Sequence, residues 1–533
     1  MLFIPVYIIF IPVFTSLFIY IFKNKHINYL ALIAQLAITI LAIIYYQHYR
    51  LDFTDTYFIF GGWRDDVGIS FYNDSLSFSF IFLAIFSWWM VLVYTFDTKD
   101  TDHNFLFFLL FLEGVFLGLL QTNDLFNMFV FVELTTIIVA ILIAFKKFGE
   151  SFRAAIYYLL LNTSGVLMFL IGIILLYNVF GTINIRLISE LMETLDDEFV
   201  IKFAYVLMIG GISVKAALFP VFTWLPKAHG VAQSAMSALL SGLVVKGGLY
   251  LFIRINDMFS LAQINYYDFF FFVGAATATL GVMFALSQKD IKQILAYHTI
   301  SQIGIVMMGL ASKDATTFYG GLLHIFNHAL FKSLLFLAAG VIVKIYKTKK
   351  VKEIRGVFKA MPVVSIFMIV GMLSITGAPL FNGFISKQII KYGISDTGYK
   401  YWILFIVNIG TATSFIKMSQ IFFGPRTMTV RVKPYTENLS LMLLAFACVL
   451  LGNFYIPFSN GFFGIDLSKF TINLEAFYDY IAALTIGLSF YKLVIEKDGK
   501  IVQAIRNYKV SFESANYLFM LYIATMIVYF IFI

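Results

Sequence analysis

Seven titratable side chains stand inside stretches of sequence that are otherwise apolar. His324, His328 and Lys332 recur at i, i+4 and i+8 in HIFNHALFKSLLFLAAG, a spacing that stacks side chains along one helix face. Glu133 lies in LFNMFVFVELTTIIVAIL, Lys215 in LMIGGISVKAALFP, Lys246 in LLSGLVVKGGLYLF and Lys387 in FNGFISKQII. Placing a charge at mid-bilayer costs roughly 2.5–3.5 kcal/mol even on the lenient insertion scale. Stacked titratable groups make a poor packing surface and a serviceable proton relay. Burial removes a lysine's strong preference for its charged form. A glutamate nearby holds the lysine's proton on, and moving that glutamate away releases it, which is a switchable proton site.

Plainer readings stand beside this one. A lysine near a span end can snorkel to the interface, and that reading applies to Lys387 and to Lys417 in TATSFIKMSQIFF. Apolar or small residues flank Lys215 and Lys246 on both sides, which argues against snorkelling there. Glu133 also suits a helix–helix contact. Glu113 either belongs to the row or pairs with a lysine, and His298 adds a further titratable group within a span. Asp74 and Asp124 stand at span starts, where capping is the expected role.

These groups need helices to position them. The chain of 533 residues is 61% hydrophobic and 13% charged, where soluble domains carry roughly a quarter charged residues, and its mean hydropathy is +0.88. Apolar runs of about 20 residues predict about 16 transmembrane helices, starting near residues 2, 27, 74, 103, 125, 152, 201, 232, 267, 291, 316, 362, 400, 436, 473 and 510. The first run lacks a basic flank and is long enough to span, so it reads as a retained helix rather than a signal peptide. Of 38 Lys and Arg, about 24 fall in loops after odd-numbered spans, about nine in even loops and five within spans. The odd loops include KNKH (23–26), KKFGESFR (146–153), SQKDIK (287–292), KIYKTKKVKEIR (344–355), RTMTVRVK (426–433) and the stretch 492–509. That bias puts odd loops in the cytoplasm and both termini outside. The even loop 184–200 is acidic, as this orientation allows. Basic residues confined to loops also argue against a nucleic-acid surface. The single cysteine, Cys448, excludes an intrachain disulfide framework and any Cys-ligated cluster built from this chain alone. No cofactor or metal is expected.

Two spans are interrupted close to a lysine. Lys215 precedes ALFPVFTWLPKAHG, with Pro220 and Pro226, and Lys387 follows LSITGAPLFNGF, with Gly377, Pro379 and Gly383. Broken helices in corresponding halves point to a transporter's ion site. The separation from Lys215 to Lys246 is 31 residues and from Lys387 to Lys417 is 30. Spans 4–8 (103–255) and 9–13 (267–423) are therefore expected to be five-helix repeats, inverted because five is odd. They sit between N-terminal helices (1–98) and C-terminal helices (436–533). The stretches outside the membrane, such as 47–73, are too short for a soluble domain.

Five segments resemble one family: NDLFNMFVFVELTTI (123–137), KAALFPVFTWLPKAHGVAQSAMSALLSGLVVKGGLYLFIR (215–254), SQKDIKQILAYHTISQIG (287–304), HIFNHALFKSLLFLAAG (324–340) and GAPLFNGFISK (377–387). They are similar to the antiporter-like subunits shared by Mrp-type Na+/H+ antiporters, respiratory complex I and membrane-bound hydrogenases, with wording nearest the Mrp D-type and hydrogenase members. The resemblance implies an all-α membrane fold, a 14-helix core with two inverted five-helix repeats, here extended by two C-terminal helices. It implies that Glu133 and Lys215 are a functional pair, Lys246 a bridging lysine, His324, His328 and Lys332 the central relay, and Lys387 the terminal group. Glu113, His298 and Lys417 are further candidates. Lys227 departs from the pattern, since many relatives carry Asp there. His229 beside it is either an entrance group or a plain loop residue.

The leading expectation is a proton-translocating subunit of a multisubunit cation/proton antiporter in a prokaryotic plasma membrane, with other membrane subunits as partners and H+, with or without Na+, as cargo. One alternative is the pumping subunit of a hydrogenase or NADH:quinone oxidoreductase, contributing no redox centre itself. Another is a stand-alone transporter of an organic solute, against which the charges are spread over many helices.

Overall fold

In hydrocarbon every backbone N–H and C=O must be satisfied within the chain, so apolar runs of this length fold as helices. A computed structural model describes residues 3–23, 26–52, 55–97, 102–145, 148–194, 198–394, 398–425, 435–467, 470 and 473–532. Sixteen helices match the expected starts within a few residues. They are α1 (Ile4–Phe22), α2 (Ile27–Asp52), α3 (Ser75–Thr95), α4 (His103–Leu119), α5 (Leu125–Ala144), α6 (Gly149–Phe180), α7 (Glu198–Lys215) and α8 (Ser234–Met258), then α9 (Tyr267–Ser287), α10 (Ile291–Leu310), α11 (Ala315–Tyr346), α12 (Pro362–Thr376), α13 (Gly398–Ser419), α14 (Tyr435–Asn453), α15 (Leu474–Phe490) and α16 (Phe512–Ile527). Thirteen helices among the described residues are long and apolar enough to cross a membrane, and α4 and α12 are shorter apolar helices. The basic loop 426–433, and residues 24–25, 146–147 and 195–197 of the other loops, lie outside the described residues.

Aspartates start many of these helices by taking orphan backbone N–H groups. Asp74 accepts from Ser77 at 2.8 Å and Asp124 from Asn127 at 2.6 Å, as expected at these positions. Asp102, Asp290 and Asp314 do the same for α4, α10 and α11.

The stretch 47–73 is not simply a loop. It holds an antiparallel hairpin of β1 (Thr56–Ile59) and β2 (Ser70–Asn73). TYFI and SFYN are rich in the aromatic and β-branched residues that suit strands. Gly61 and Gly62, with φ of 69° and 68°, allow the turn after β1. The free edge of β2 is covered, because Tyr72 N donates to Gln121 O and Asn123 N to Ser70 O.

The chain divides into two compact units. The first comprises residues 1–216, 243–265 and 512–533, and so holds α1–α7, the C-terminal part of α8, and α16. Within it Gly165 and Gly211 let α6 and α7 approach until their backbones touch, since a Cβ on Gly211 would lie 2.2 Å from Gly165 O. The second comprises 217–242 and 266–511, with α9–α15. Here Gly304 plays the same part between α10 and α9, its Cβ position falling 2.3 Å from Ala278 N.

Both interruptions expected from sequence are present. Helix α7 ends on Lys215, residues 216–223 are not helical, and a short helix Trp224–Val231 follows. Helix α12 stops at Gly377, which is left-handed at φ 79°, and the chain resumes as the half-helix Asn382–Ile394. Lys215 stands before its break and Lys387 after its own. A π-helical turn, Leu240–Val244, lies within α8 just before Lys246, and such turns often accompany functional residues.

Candidate functional site

In the first unit the charged groups gather around the end of α7. Lys215 Nζ donates to Thr136 Oγ1 at 2.7 Å and to Tyr158 OH at 3.4 Å, and sits 5.8 Å from the Tyr158 ring centroid. Glu133 and Thr136 are three residues apart on α5, and so share a face. Glu133 Oε1 instead accepts from Thr163 Oγ1 on α6 at 2.8 Å. Glu133 acts on Lys215 electrostatically, but through space rather than in a direct ion pair. Each of the two therefore has its own hydroxyl partner, Thr163 for Glu133 and Thr136 for Lys215. Glu133 Oε2 is buried and makes no hydrogen bond with the described residues.

Lys246 is fully buried on α8. The glycines after it set its position. A Cβ on Gly248 would fall 2.6 Å from Ala216 N and 2.8 Å from the Lys215 carbonyl carbon, and one on Gly247 would fall 3.0 Å from the Phe116 ring on α4. The helix carrying Lys246 is therefore pressed onto the broken end of α7. Glu113 on α4 is fully buried, with the Gln35 side chain as a polar neighbour.

In the second unit His324, His328 and Lys332 do share one face of α11, as their spacing requires. The His324 and His328 rings are near-parallel, with centroids 6.4 Å apart. His324 Nδ1 bonds Ser386 Oγ at 2.8 Å and its Nε2 bonds Gln302 Oε1 at 3.2 Å. Lys332 Nζ donates to Leu295 O on α10 and lies 5.4 Å from the Phe336 ring. One turn along α10 from Leu295 stands His298, packed at 4.9 Å on Phe415. Its ring nitrogens have no hydrogen-bond partner among the described residues, and the charges of Lys332, Lys417 and Lys387 all act on it. His298 thus packs one turn from the carbonyl that holds Lys332.

Lys387 does not snorkel. It is buried, and its Nζ turns back across the break to donate to Ile375 O at 2.8 Å and Asn408 Oδ1 at 3.1 Å. The negative end of α12 holds the cation. Lys417 differs: its Nζ takes three carbonyls, Ala285 at 3.2 Å, Leu286 at 2.7 Å and Gln288 at 2.8 Å, at the C-terminal end of α9. That is a helix cap, made by a second lysine within a span. His229 is corrected: it lies in the helix Trp224–Val231, fully buried and stacked 4.5 Å from the Phe336 ring, not in a loop. Lys227 donates to Val510 O at 2.9 Å.

Sequence reading missed the neutral partners Thr136, Thr163, Tyr158, Gln302, Ser386 and Asn408. It also missed the half-buried pair of Asp74 and Arg254, two contacts of 2.6 Å that Tyr250 and Ser77 complete. The last two helices, whose role the sequence leaves open, each brace one interrupted helix. In the first unit Tyr522 of α16 bonds Ser213 of α7 at 3.1 Å. In the second, Tyr480 of α15 bonds Thr376, the last residue of α12, at 3.3 Å.

Among known proteins the chain is 30% identical to a Staphylococcus saprophyticus protein named as an antiporter subunit, mnhD2, over 78% of this chain and 84% of the relative. It is 31% identical to a Staphylococcus aureus protein of the same name, over 72% and 77%. Its fold is similar to a chain of the archaeal membrane-bound sulfane sulfur reductase (TM-score 0.78, 25% identity, 91% of this chain and 99% of the other). It is also similar to chains of the Mrp complex from Dietzia (0.76, 20%, 95% and 99%) and of respiratory complex I from Thermus thermophilus (0.76, 19%, 91% and 99%). Residues 122–416 match the family described as NADH:quinone oxidoreductase/Mrp antiporter, transmembrane. These residues hold Glu133, Lys215, Lys246, the α11 face and Lys387, and the chain belongs to that family.

Proposed function

We propose that the chain is a proton-translocating subunit of a multisubunit cation/proton antiporter, and that protons move through it by way of its buried Glu, Lys and His side chains. The observation that carries this reading is Lys215: a buried ammonium at a helix break, held by two hydroxyl groups and reached by Glu133 only through space. A direct ion pair would lock a lysine charged. Hydroxyls can donate or accept, so they solvate Lys215 whether it carries its proton or not. Shifts of the Glu133 side chain then change how firmly Lys215 keeps its proton, which is the switch. Lys246, held against the same break by Gly248, is the next carrier.

His324, His328 and Lys332 then form the relay, with His298 beside them, and Lys387 at its own helix break is the terminal group. Glu113 is an accessory acid of the first cluster. Lys417 positions α9 rather than carrying protons. Residues 103–255 and 267–423 act as two inverted halves, a reading supported by the odd number of spans, five, in each. The chain works in the plasma membrane with both termini on the outer face, and other membrane subunits complete it. Relatives named as antiporter subunits favour an Mrp-type assembly, with H+ and, through partners, Na+ as cargo. In membrane vesicles bearing the assembled complex, Lys215→Ala and Glu133→Ala are expected to abolish proton movement. Wild-type rates in both would overturn the reading.

The likeness to a sulfane sulfur reductase and to complex I supports a second reading, the same proton path driven by a redox partner. Neighbouring genes discriminate: hydrophilic iron–sulfur subunits mark the redox assembly, and small membrane subunits alone mark the antiporter.

A further inference from the structure

Beyond residue 416, where the family match ends, helix α15 brings a carboxylate to the far end of the Lys387 site. Lys387 and Lys391 are four residues apart on the half-helix Asn382–Ile394, so they share a face. Both line a cavity of about 40 Å³ together with Asn408, Tyr401 and Asp479. One water needs about 10–15 Å³ in the same measure, so the cavity has room for a short water chain. Its outer side is an ion pair: Lys391 Nζ lies 2.5 Å from Asp479 Oδ2, and Tyr401 OH donates to Asp479 Oδ1 at 3.3 Å. Lys391 also sits 5.0 Å from the Tyr401 ring centroid and 3.8 Å from Glu475. Exposure rises along this line, from the buried Lys387 to Lys391 at 17% and Asp479 at 22%, and then to Glu475 at 74%.

We propose that Asp479 is the proton acceptor that empties Lys387, so that α15 supplies the outlet of the path and Lys391 is its positioning cation. An N–H bond of the Lys387 ammonium breaks and a cavity water takes the proton. That water passes a proton to a carboxylate oxygen of Asp479, where an O–H bond forms. Asp479 then releases it to Glu475 or to bulk water, and Lys387 is left neutral for the next proton. Lys391 stays charged throughout. It favours the anionic form of Asp479, so that Asp479 passes each proton on rather than keeping it. Asn408, bonded to Lys387, and Tyr401, bonded to Asp479, orient the two ends. This inference rests on the proton-path reading above.

The test compares proton transport by the assembled complex in vesicles for wild type, Asp479→Asn, Asp479→Glu and the double variant Lys391→Met/Asp479→Asn, with Lys215→Ala alongside. Transport per assembled complex is expected to fall about a hundred-fold in Asp479→Asn, the low end of what losing a proton-transfer group does. Asp479→Glu is expected to recover it with a changed pH profile. The double variant is expected to stay impaired, because neutralising both partners removes the unpaired lysine but does not restore an acceptor. Recovery in the double variant, or a wild-type rate in Asp479→Asn, would overturn the outlet while Lys215→Ala still abolished transport. A wild-type rate in Lys215→Ala would overturn the proton-path reading itself.

Discussion

Thr136, one helical turn after Glu133, holds the Lys215 ammonium at 2.7 Å. The glutamate itself is tied to Thr163 at 2.8 Å. Lys215 therefore has a neutral partner that stays when the charged one changes. Thr136→Val keeps the shape and removes the hydroxyl. Losing a hydrogen bond to a charged group costs about 1.5–3 kcal/mol. Spent on the transfer step, this slows transport by about ten- to a hundred-fold. Vesicle acidification by assembled complexes across pH checks it, and an unchanged rate and profile would remove Thr136 from the switch.

The two helix breaks depend on glycine for close approach. A Cβ at position 383 would lie 1.9 Å from Ser374 O, and one at 248 would lie 2.6 Å from Ala216 N. Both contacts are backbone, which cannot swing aside. Overpacking of this kind costs about 1–3 kcal/mol, occasionally more. Gly383→Ala and Gly248→Ala are expected to lower the thermal midpoint of the purified protein by several degrees and to impair transport. Gly149→Ala, with nothing within 4 Å of its Cβ position, serves as the control. Equal behaviour of all three would contradict the packing at the breaks.

On the proposed path Lys417 caps α9 and is expected to carry no proton. Lys417→Met leaves the carbonyls of Ala285, Leu286 and Gln288 without their cation. Unmet buried acceptors cost about 1–3 kcal/mol. Thermal stability should drop, while transport per assembled complex and its pH profile hold. A loss of transport with unchanged stability would return Lys417 to the relay.

Much of this was legible in the sequence. Apolar runs gave sixteen helix starts because a helix in hydrocarbon needs only length and composition. Seven charges in those runs were conspicuous for the same reason. The polar partners were not, because Thr136, Thr163 and Asn408 are unremarkable in a membrane helix, and only packing shows that they meet a charge. The signal for Thr136 was present as the third residue after Glu133 in ELTT. Lys417 and Lys387 looked alike, since each ends a chain of apolar residues. What separates them is which carbonyls they meet, three at the end of α9 against one at the break after α12. Asp479 escaped notice because it stands near a span end, where a carboxylate costs little. The β1–β2 hairpin was hidden in a stretch short enough to read as a loop.

Outside the membrane, Asp498 joins the loop after α15 to the end of α9. It pairs with Lys289 at 2.6 Å and with Arg506, which also donates to Ser287 O at 2.6 Å. Hydrogen bonds from Arg506 and Lys289 hold its carboxyl down at about 2. A carboxyl lowered in the folded state stabilises above its ordinary range and loses that contribution as pH falls through its folded value. Protection of backbone amides over 496–507 is therefore expected to be constant from neutral pH to about 4 and to fall toward about 2. Asp498→Asn should show the low-protection state already at neutral pH. Equal protection in wild type and variant at neutral pH would show that the clasp does not order this loop.

The central claim is that Lys215 carries protons. Its most direct measurement is proton transport by assembled complexes in vesicles, wild type against Lys215→Ala, with the amount of assembled complex quantified in each preparation. Transport at background in Lys215→Ala, with assembly intact, is the expected result. Wild-type transport in that variant would contradict it.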